Sequence, residues 1–175
     1  MASELHVDAI KHSGGTSAMT IDSSGRVTEP NKPSWHVYHK PGGSSTGLSG
    51  VIAWNTAHKN VGTMCNLSTG IVTVPVTGTY YIYTALLGTN SSGGAMSADC
   101  NGFIQVDTGS GFTSKSRVFS DFTIIGNGSG YITGHIFLTY PLSANDQIRI
   151  NITGGHIYVE DNDDPFSYFG GFLVG

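Results

Sequence analysis

The chain has 175 residues, of which only 11% are charged and 25 are glycine, and its formal net charge is -4 at pH 7. This charge offers no basic surface for nucleic acid, and no apolar run approaches the ~20 residues that a membrane-spanning helix needs. Helix-favouring residues are scarce, whereas Thr, Ser, Gly, Ile, Val and Tyr are common, which favours an all-β protein with one main core.

The first 31 residues differ in character from the rest of the chain. Short apolar stretches near residues 4–10, 18–21 and 26–28 predict three strands, which are too short to fold stably alone in water. They form either a flexible tail or a small trimeric stalk that packs against symmetry mates. The packed side chains of such a stalk are Leu5, Val7, Met19, Ile21 and Val27. Pro30 and Pro33 mark the boundary, so residues 1–31 are assigned to a stalk or attachment segment and residues 32–175 to the main domain.

Residues 66–87, NLSTGIVTVPVTGTYYIYTALL, carry the strongest strand pattern. Residues 71–74 and 79–87 predict the two strands of a hairpin, because Pro75 suits a strand end and Gly78 permits a tight bend. Strand side chains alternate, so one face of the second strand carries Tyr81, Tyr83, Ala85 and Leu87, and the other carries Tyr80, Ile82, Thr84 and Leu86. Both faces are apolar, which is unusual for an antiparallel strand with a solvated side. One face therefore fills the core, and the other predicts a subunit interface.

Further strands are predicted at residues 35–39, 51–54, 61–65, 98–107, 115–125, 131–140, 147–152, 156–160 and 166–174, and residues 55–59 are predicted to form a loop. The clearest alternation is in residues 147–152, where Ile148, Ile150 and Ile152 share one face. In residues 131–140 the shared face carries Ile132, Ile136, Leu138 and Tyr140. Many short strands separated by Gly, Pro and Asn turns predict a sandwich or barrel. Cys65 and Cys100 are predicted to be free, buried thiols, because two cysteines do not make a disulfide framework.

Four pieces of the chain, in order, resemble the complement globular-head (C1q) family of tumour-necrosis-factor-like jelly rolls. Residues 33–37, PSWHV, resemble its opening strand. Residues 60–62 and 68–81, ending in PVTGTYY, resemble its central signature of Pro-x-x-Gly and paired aromatics. Residues 142–150 resemble its leucine, Gly-Asp and apolar-strand element, with Asn145 in place of the glycine. Residues 155–173, GHIYVEDNDDPFSYFGGFL, are similar to its closing tract. The resemblance covers residues 33–174 and implies a TNF-like jelly-roll β-sandwich.

The same resemblance implies a tight homotrimer, because members of this family assemble about a three-fold axis. The apolar second face of residues 79–87 and the aromatic closing strand would supply the contact. The expected interface residues are Tyr80, Tyr81, Ile82, Tyr83, Leu86, Phe166, Tyr168, Phe169 and Phe172. The alternative is that Tyr80, Phe166 and Tyr168 are singly exposed aromatics, which are common on protein surfaces.

Residues 15–27, GTSAMTIDSSGRV, resemble the linker before such domains in tailed-phage fibre proteins, particularly those of marine phages. The N-terminus also lacks the apolar region of a signal peptide, as expected for a virion protein released by lysis. These features predict a non-enzymatic structural or receptor-binding protein of a phage virion, which is either a tail-fibre tip or a short head fibre or decoration protein. Its expected partners are other virion proteins, bound through the N-terminal segment. The alternative is a secreted complement-type recognition protein that binds glycans or proteins.

No catalytic motif or cofactor motif stands out in the sequence. The seven histidines form no zinc-binding spacing, and no nucleophile elbow or phosphate-binding glycine motif occurs, so no enzymatic activity and no cofactor are expected. The best metal candidate is the acidic loop at residues 160–165, because calcium takes several carboxylate and carbonyl oxygens. The candidate ligands are Glu160, Asp161, Asp163, Asp164 and Asp121. The alternative is a solvated acidic loop.

Ligand recognition is expected at three loops, residues 88–94, 126–130 and 160–165, because loops on a rigid scaffold often carry function. Tyr131 and Phe166 flank these loops and are candidates to anchor a sugar or a peptide of a host surface. For Phe166, packing in the core is the alternative.

Overall fold

The computed structural model describes residues 6–39, 47–90, 99–120, 131–158, 160–161 and 164–175. The chain forms two compact units, Met1–Lys32 and Pro33–Gly175, which divide one residue after the boundary expected from the sequence. All regular elements of the described residues are strands, apart from a single 3-10 turn at Val61–Thr63. The predicted all-β class is therefore confirmed. None of the described segments forms a helix with the length and hydropathy needed to cross a bilayer.

The N-terminal unit is a three-stranded antiparallel sheet in the order β1-β2-β3. Its strands are β1 (Ala9–Lys11), β2 (Ser17–Ile21) and β3 (Val27–Thr28). Asp22 closes the second turn, because its carboxylate accepts the backbone N–H and the guanidinium of Arg26, and these bonds lower the pKa of Asp22. No residue from 6 to 32 is buried, and Val27 is 53% exposed. The described part of this unit therefore has no core of its own. Leu5 lies outside the described residues.

The described part of the main unit contains thirteen strands. They are β4 (Ser34–Tyr38), β5 (Leu48–Val51), β6 (Thr56–Asn60), β7 (Cys65–Asn66), β8 (Ile71–Thr73), β9 (Gly78–Thr89), β10 (Cys100–Asp107), β11 (Thr113–Ser120), β12 (Ile132–Leu142), β13 (Gln147–Tyr158), β14 (Glu160–Asp161), β15 (Asp164–Pro165) and β16 (Tyr168–Leu173). The predicted strand at residues 115–125 is thus seen as far as Ser120, and residues 121–130 lie outside the described part.

Eleven of these strands form two antiparallel layers, and β14 and β15 pair only with each other. The first layer has the order β12-β9-β16-β4-β6, and the second contains β11, β10 and β13 with β5, β7 and β8 at its other side. β13 belongs to both layers, since its first seven residues pair with β10 and its last three pair with β9. The strand bends between these parts at Gly154, whose φ is 76°, and at Gly155, where a Cβ would lie 2.7 Å from the Asp99 carbonyl oxygen.

β9 is the central strand of the first layer. One edge pairs with β12 over residues 78–88, and the other pairs with β16 over residues 80–85 and then with β13. The predicted hairpin is wrong, because β8 pairs with β7 and β13 in the second layer. The link from β8 to β9 instead crosses between the layers. Pro75 and Gly78 are compatible both with a hairpin and with a crossing between the layers. The burial of Val72 and Val74, both 0% exposed, favours the crossing.

Strand alternation places one face of each long strand in a single core. Tyr80 and Ile82 of β9, Phe169 of β16, and Ile148 and Ile150 of β13 are all 0% exposed and belong to one apolar cluster. The predicted faces of residues 131–140 and 147–152 are confirmed. The buried Tyr80 keeps a hydrogen bond, because its hydroxyl donates to the Val76 carbonyl at 2.9 Å.

Two predictions at the edges of the layers are wrong. Residues 55–59 were expected to be a loop but contribute to β6, an edge strand with exposed His58 and Lys59 and no clear alternation. Residues 61–65 were expected to be a strand but form the 3-10 turn that leads into β7.

Cys65 and Cys100 are free and buried, as predicted. Burial raises the pKa of Cys65 to about 12 and that of Cys100 to about 11.

The two glycines in the closing strand β16 make close contacts on opposite faces. Gly171 lies inward, where a Cβ would clash with the Trp35 ring and approach the Tyr81 carbonyl oxygen to 2.7 Å. Gly170 lies outward, where a Cβ would clash with the ring of Tyr83. Trp35 is 1% exposed and packs edge-on against Phe169, so its ring has little freedom to move.

We predict that Gly171→Ala lowers the free energy of unfolding by about 1–3 kcal/mol, the usual cost of overpacking a core. Gly170→Ala is the matched control and should cost less, because its Cβ would meet only the far end of the half-buried Tyr83 side chain and no backbone atom. Urea denaturation of both variants measures the difference. Equal losses would contradict this account of the two faces.

Candidate functional site

The outward side of the first layer carries a continuous aromatic surface, which we call the aromatic face. It is built on β4, β6, β9, β12 and β16. Its residues are His36, Tyr38, His58, Tyr81, Tyr83, His135, Phe137, Tyr168 and Phe172. Phe137 is 64% exposed and Phe172 is 41% exposed. Large exposed apolar patches of this kind mark interaction surfaces more often than isolated exposed residues do.

Tyr81 lies at the centre of one half of the aromatic face. Its ring centroid is 5.4 Å from that of Phe172, 6.1 Å from that of Tyr83 and 6.4 Å from that of Phe137. The contacts follow from the register, since Tyr81 is directly opposite Phe172 on one edge of β9 and Phe137 is opposite Tyr83 on the other. Cross-strand aromatic pairs stabilise a sheet, but here they also leave flat apolar rings facing solvent.

His36 organises the other half of the aromatic face. Its Nδ1 lies 2.9 Å from the Tyr83 hydroxyl, and its ring stacks on Tyr168 at 5.3 Å and approaches His58 at 5.5 Å. Partial burial, and then the charge of His58, lower the pKa of His36. His58 in turn stacks on Tyr38 at 4.2 Å. This half thus joins apolar rings to polar nitrogen and hydroxyl groups.

The structure divides eight of the nine predicted interface residues into two groups. Tyr80, Ile82, Leu86 and Phe169 lie in the core of the single chain, at 2% exposure or less. Assigning them to a subunit interface is corrected, because they have no surface left for a second copy. Alternation along β9 and β16 explains this, since each of them points away from Tyr81, Tyr83, Tyr168 and Phe172. The latter four lie together on the aromatic face, and their role in an interface stays a prediction.

Phe166, the ninth residue, lies away from this group in a second feature, which we call the aromatic cleft. The cleft has a volume of about 310 Å³ and is lined by Leu87, Tyr131, Tyr158 and Phe166. The Tyr131 and Tyr158 rings stack at 6.3 Å, and the Tyr158 and Phe166 rings lie 5.5 Å apart. The structure therefore brings together Tyr131 and Phe166, the two anchors expected beside the loops.

The predicted calcium loop is described only in its backbone. β14 and β15 form a two-stranded antiparallel ladder in which Glu160 is opposite Pro165 and Asp161 is opposite Asp164. Asp163 and Asp121 lie outside the described residues, so the proposed ligand set is not tested. Among the described side chains, no three of His, Cys, Asp and Glu are grouped as a metal site would require. Calcium binding stays a prediction.

Two parts of these sites were missed in the sequence. Phe137 shares the outer face of β12 with His135 and Thr139. An aromatic residue between two polar residues on the exposed face of the predicted strand was the signal in the sequence. Leu87 and Tyr158 meet in the cleft only because β13 pairs with the end of β9, and Leu87 faces Tyr158 in that register. Nothing local in the sequence reports this long-range pairing.

Comparison with known proteins establishes the fold. No family model matches the chain, and no curated protein matches its sequence. Among solved structures the chain is similar to the globular domain of the zebrafish complement 1qA protein, with a TM-score of 0.60 and 16% identity. The match covers 82% of this chain and 98% of that one. The main unit therefore has a C1q/TNF-like jelly-roll β-sandwich fold, as the sequence resemblance implied.

We predict that His36 makes the folded chain less stable in mild acid. The folded state resists protonation of His36, so the unfolded chain binds more protons once the pH falls below the usual histidine pKa of about 6.5. The free energy of unfolding should therefore be at its full value above that pH and should decrease below it. Titratable groups that contact His36 are Tyr38, His58, Tyr83 and Tyr168.

Denaturation from about pH 8 down to about pH 5 measures this dependence. His36→Gln should flatten the profile, whereas the exposed His12→Gln should leave it unchanged. Parallel profiles for wild type and His36→Gln would show that His36 does not cause the acid sensitivity.

Proposed function

We propose that the protein is a homotrimeric, non-enzymatic structural or receptor-binding protein of a phage virion. Within the virion it serves as a tail-fibre tip or as a short head fibre or decoration protein. The single observation that carries the trimer is the aromatic face, with Phe137 and Phe172 exposed beside Tyr81. A single chain leaves these rings in water, and a second copy would remove them from it at a gain of ~25 cal/mol per Å² of apolar area.

The composition of the aromatic face supports a subunit contact. Interface cores are enriched in tyrosine and phenylalanine and depleted in charged residues. None of the nine residues of the aromatic face is Lys, Arg, Asp or Glu, and the exposed Lys59 lies at its margin, opposite His36 on the edge strand β6. The outward side of the second layer differs. There Arg149 donates its Nε–H to the Gln105 side chain at 2.9 Å and lies over the Phe112 ring, and Lys115 and Arg117 are exposed. This contrast favours the outward side of the first layer as the surface that a second copy of the chain would bury.

The N-terminal unit supports the attachment role. A three-stranded sheet with no buried residue is not expected to be stable by itself, so a partner that completes it would also stabilise it. The resemblance of residues 15–27 to linkers of tailed-phage fibre proteins favours a virion protein as that partner. Synthesis in the host cytoplasm and location in the virion follow from this proposal.

A secreted complement-type recognition protein is the second candidate. The observation that favours it is the likeness of the main unit to a complement domain. Both candidates are binding modules that use the same fold, and they differ in where the protein acts and in what its N-terminal unit contacts. In either setting a host-surface glycan or protein is the proposed outer ligand.

We predict that Phe137→Asp converts a stable trimer into folded monomers, because the contact would otherwise bury an unpaired charge. Sedimentation velocity at micromolar concentration measures the assembly, and circular dichroism checks the fold. Thr73→Asp, on an exposed position of β8 in the second layer, is the matched control and should remain trimeric. Ile82→Asp should instead unfold the chain, because Ile82 lies in the core.

A wild-type monomer at that concentration would overturn the trimer. If both Phe137→Asp and Thr73→Asp remain trimeric, the contact between subunits does not lie on the aromatic face.

We predict that deleting residues 1–31 leaves the main unit folded and trimeric but prevents its incorporation into virions. The measurement is immunogold electron microscopy of particles purified from cells that express the full-length or the shortened chain. Labelled particles with the full-length chain and unlabelled particles with the shortened one are expected. Absence of the full-length chain from particles, together with its release from intact cells, would favour the complement-type alternative.

A further inference from the structure

The aromatic cleft has the features of a small-molecule site. The four described residues that line it come from different parts of the chain, and its volume of about 310 Å³ lies at the lower end of the range for ligand pockets, about 300–1,000 Å³. A ligand of this size is a single ring or a single compact headgroup. Tyr131 is 51% exposed and forms the outer wall, whereas Tyr158 is 8% exposed and forms the floor.

The walls of the cleft are held in place by a buried serine. The backbone N–H of Leu87 donates to Ser167 Oγ at 3.0 Å, and the Ser167 hydroxyl donates to the Tyr158 carbonyl oxygen at 2.8 Å. Ser167 is 0% exposed and directly follows Phe166. One side chain thus joins three of the four wall segments. A site whose walls are fixed before binding loses little entropy when the ligand enters.

The chemistry of the walls favours a cation. Three of the described wall residues are aromatic. The electron-rich face of an aromatic ring attracts ammonium groups, and aromatic walls are a recurring means of binding alkylated ammonium ligands. The sequence that adjoins the cleft residues is also acidic. The segment that joins Tyr158 to Phe166 carries Glu160 and three aspartates, and Arg149 is the only Lys or Arg from residue 118 to the end of the sequence.

We propose that the aromatic cleft binds a small organic cation with an alkylated ammonium group, such as a trimethylammonium group. The rings of Tyr131, Tyr158 and Phe166 contact the methyl groups. This assignment gives a ligand class to the recognition role proposed above and rests on that role, but it does not depend on the trimer. The shared chemistry is the ammonium headgroup, whether it comes from a choline ester or from a methylated lysine side chain.

Choline is the first probe, and its neutral isostere 3,3-dimethylbutan-1-ol is the matched ligand control. Calorimetric titration and saturation-transfer NMR on the full-length chain measure binding. We expect choline to bind about tenfold more tightly than the neutral alcohol, in keeping with the usual strength of a cation–π contact. Acetylcholine represents a choline ester and Nα-acetyl-trimethyllysine represents a methylated lysine side chain, so comparing their affinities distinguishes the two sources of the headgroup. Methyl glucoside tests the competing idea of a sugar site.

Tyr131 provides the matched pair of variants, because its exposed position lets the fold tolerate change. Tyr131→Phe keeps the ring and should keep choline binding, whereas Tyr131→Leu keeps an apolar side chain without a π face and should weaken it about tenfold. Sedimentation velocity on the same samples reports the oligomeric state separately, so a failed trimer and a failed ligand site are distinguishable.

Three outcomes would overturn the proposal. Equal binding of choline and the neutral alcohol would remove the role of charge, and binding of methyl glucoside alone would make the cleft a sugar site. A change of oligomeric state in Tyr131→Leu but not in Tyr131→Phe, without choline binding in either, would assign the cleft to a contact between copies of the chain.

Discussion

The structure depends on a single constraint, which is that β9 is paired along both edges and apolar on both faces. Pairing on both edges fixes the direction of every side chain, since successive residues must point to opposite sides of the sheet. Tyr80 and Ile82 therefore enter the core, and Tyr81 and Tyr83 must face outward. A one-residue slip would exchange the two sets, and the fit of Tyr80 against the second layer prevents that slip. The aromatic face exists because the core requires this register.

The layers are joined at positions where side chains are small or absent. Gly155 allows β13 to pass close to Asp99 and change its pairing from β10 to β9. Gly170 and Gly171 allow β16 to lie between the rings of Tyr83 on one side and Trp35 on the other. Ser167 replaces a ladder hydrogen bond at the point where β9 changes its partner from β16 to β13. These residues form neither site directly, but they place the aromatic face and the aromatic cleft on one continuous layer.

The two sites are suited to different tasks. The aromatic face is broad, carries exposed phenylalanines and lacks charged side chains among its residues, which suits a protein partner of matching shape. The cleft is small, and Ser167 joins its walls by hydrogen bonds to Leu87 and Tyr158, which suits a compact ligand. In the proposed function, their separation along β9 lets one chain combine assembly with recognition. The predicted acid sensitivity of folding belongs to the aromatic face, because His36 stacks on Tyr168 and lies beside His58 there.

The sequence alone determined the features that depend on neighbouring residues. Two-residue alternation identified the inner faces of residues 131–140 and 147–152, the dual apolar character of residues 79–87 and, with the family resemblance, the jelly-roll fold. It did not determine which strands pair, so the expected hairpin of β8 with β9 was wrong, and the polar edge strand β6 was not recognised. It also could not decide which face of β9 is internal, because both faces are apolar. Tertiary structure decided these points, since pairing partners and burial depend on residues far apart in the chain, such as Leu87 and Tyr158, that meet only after folding.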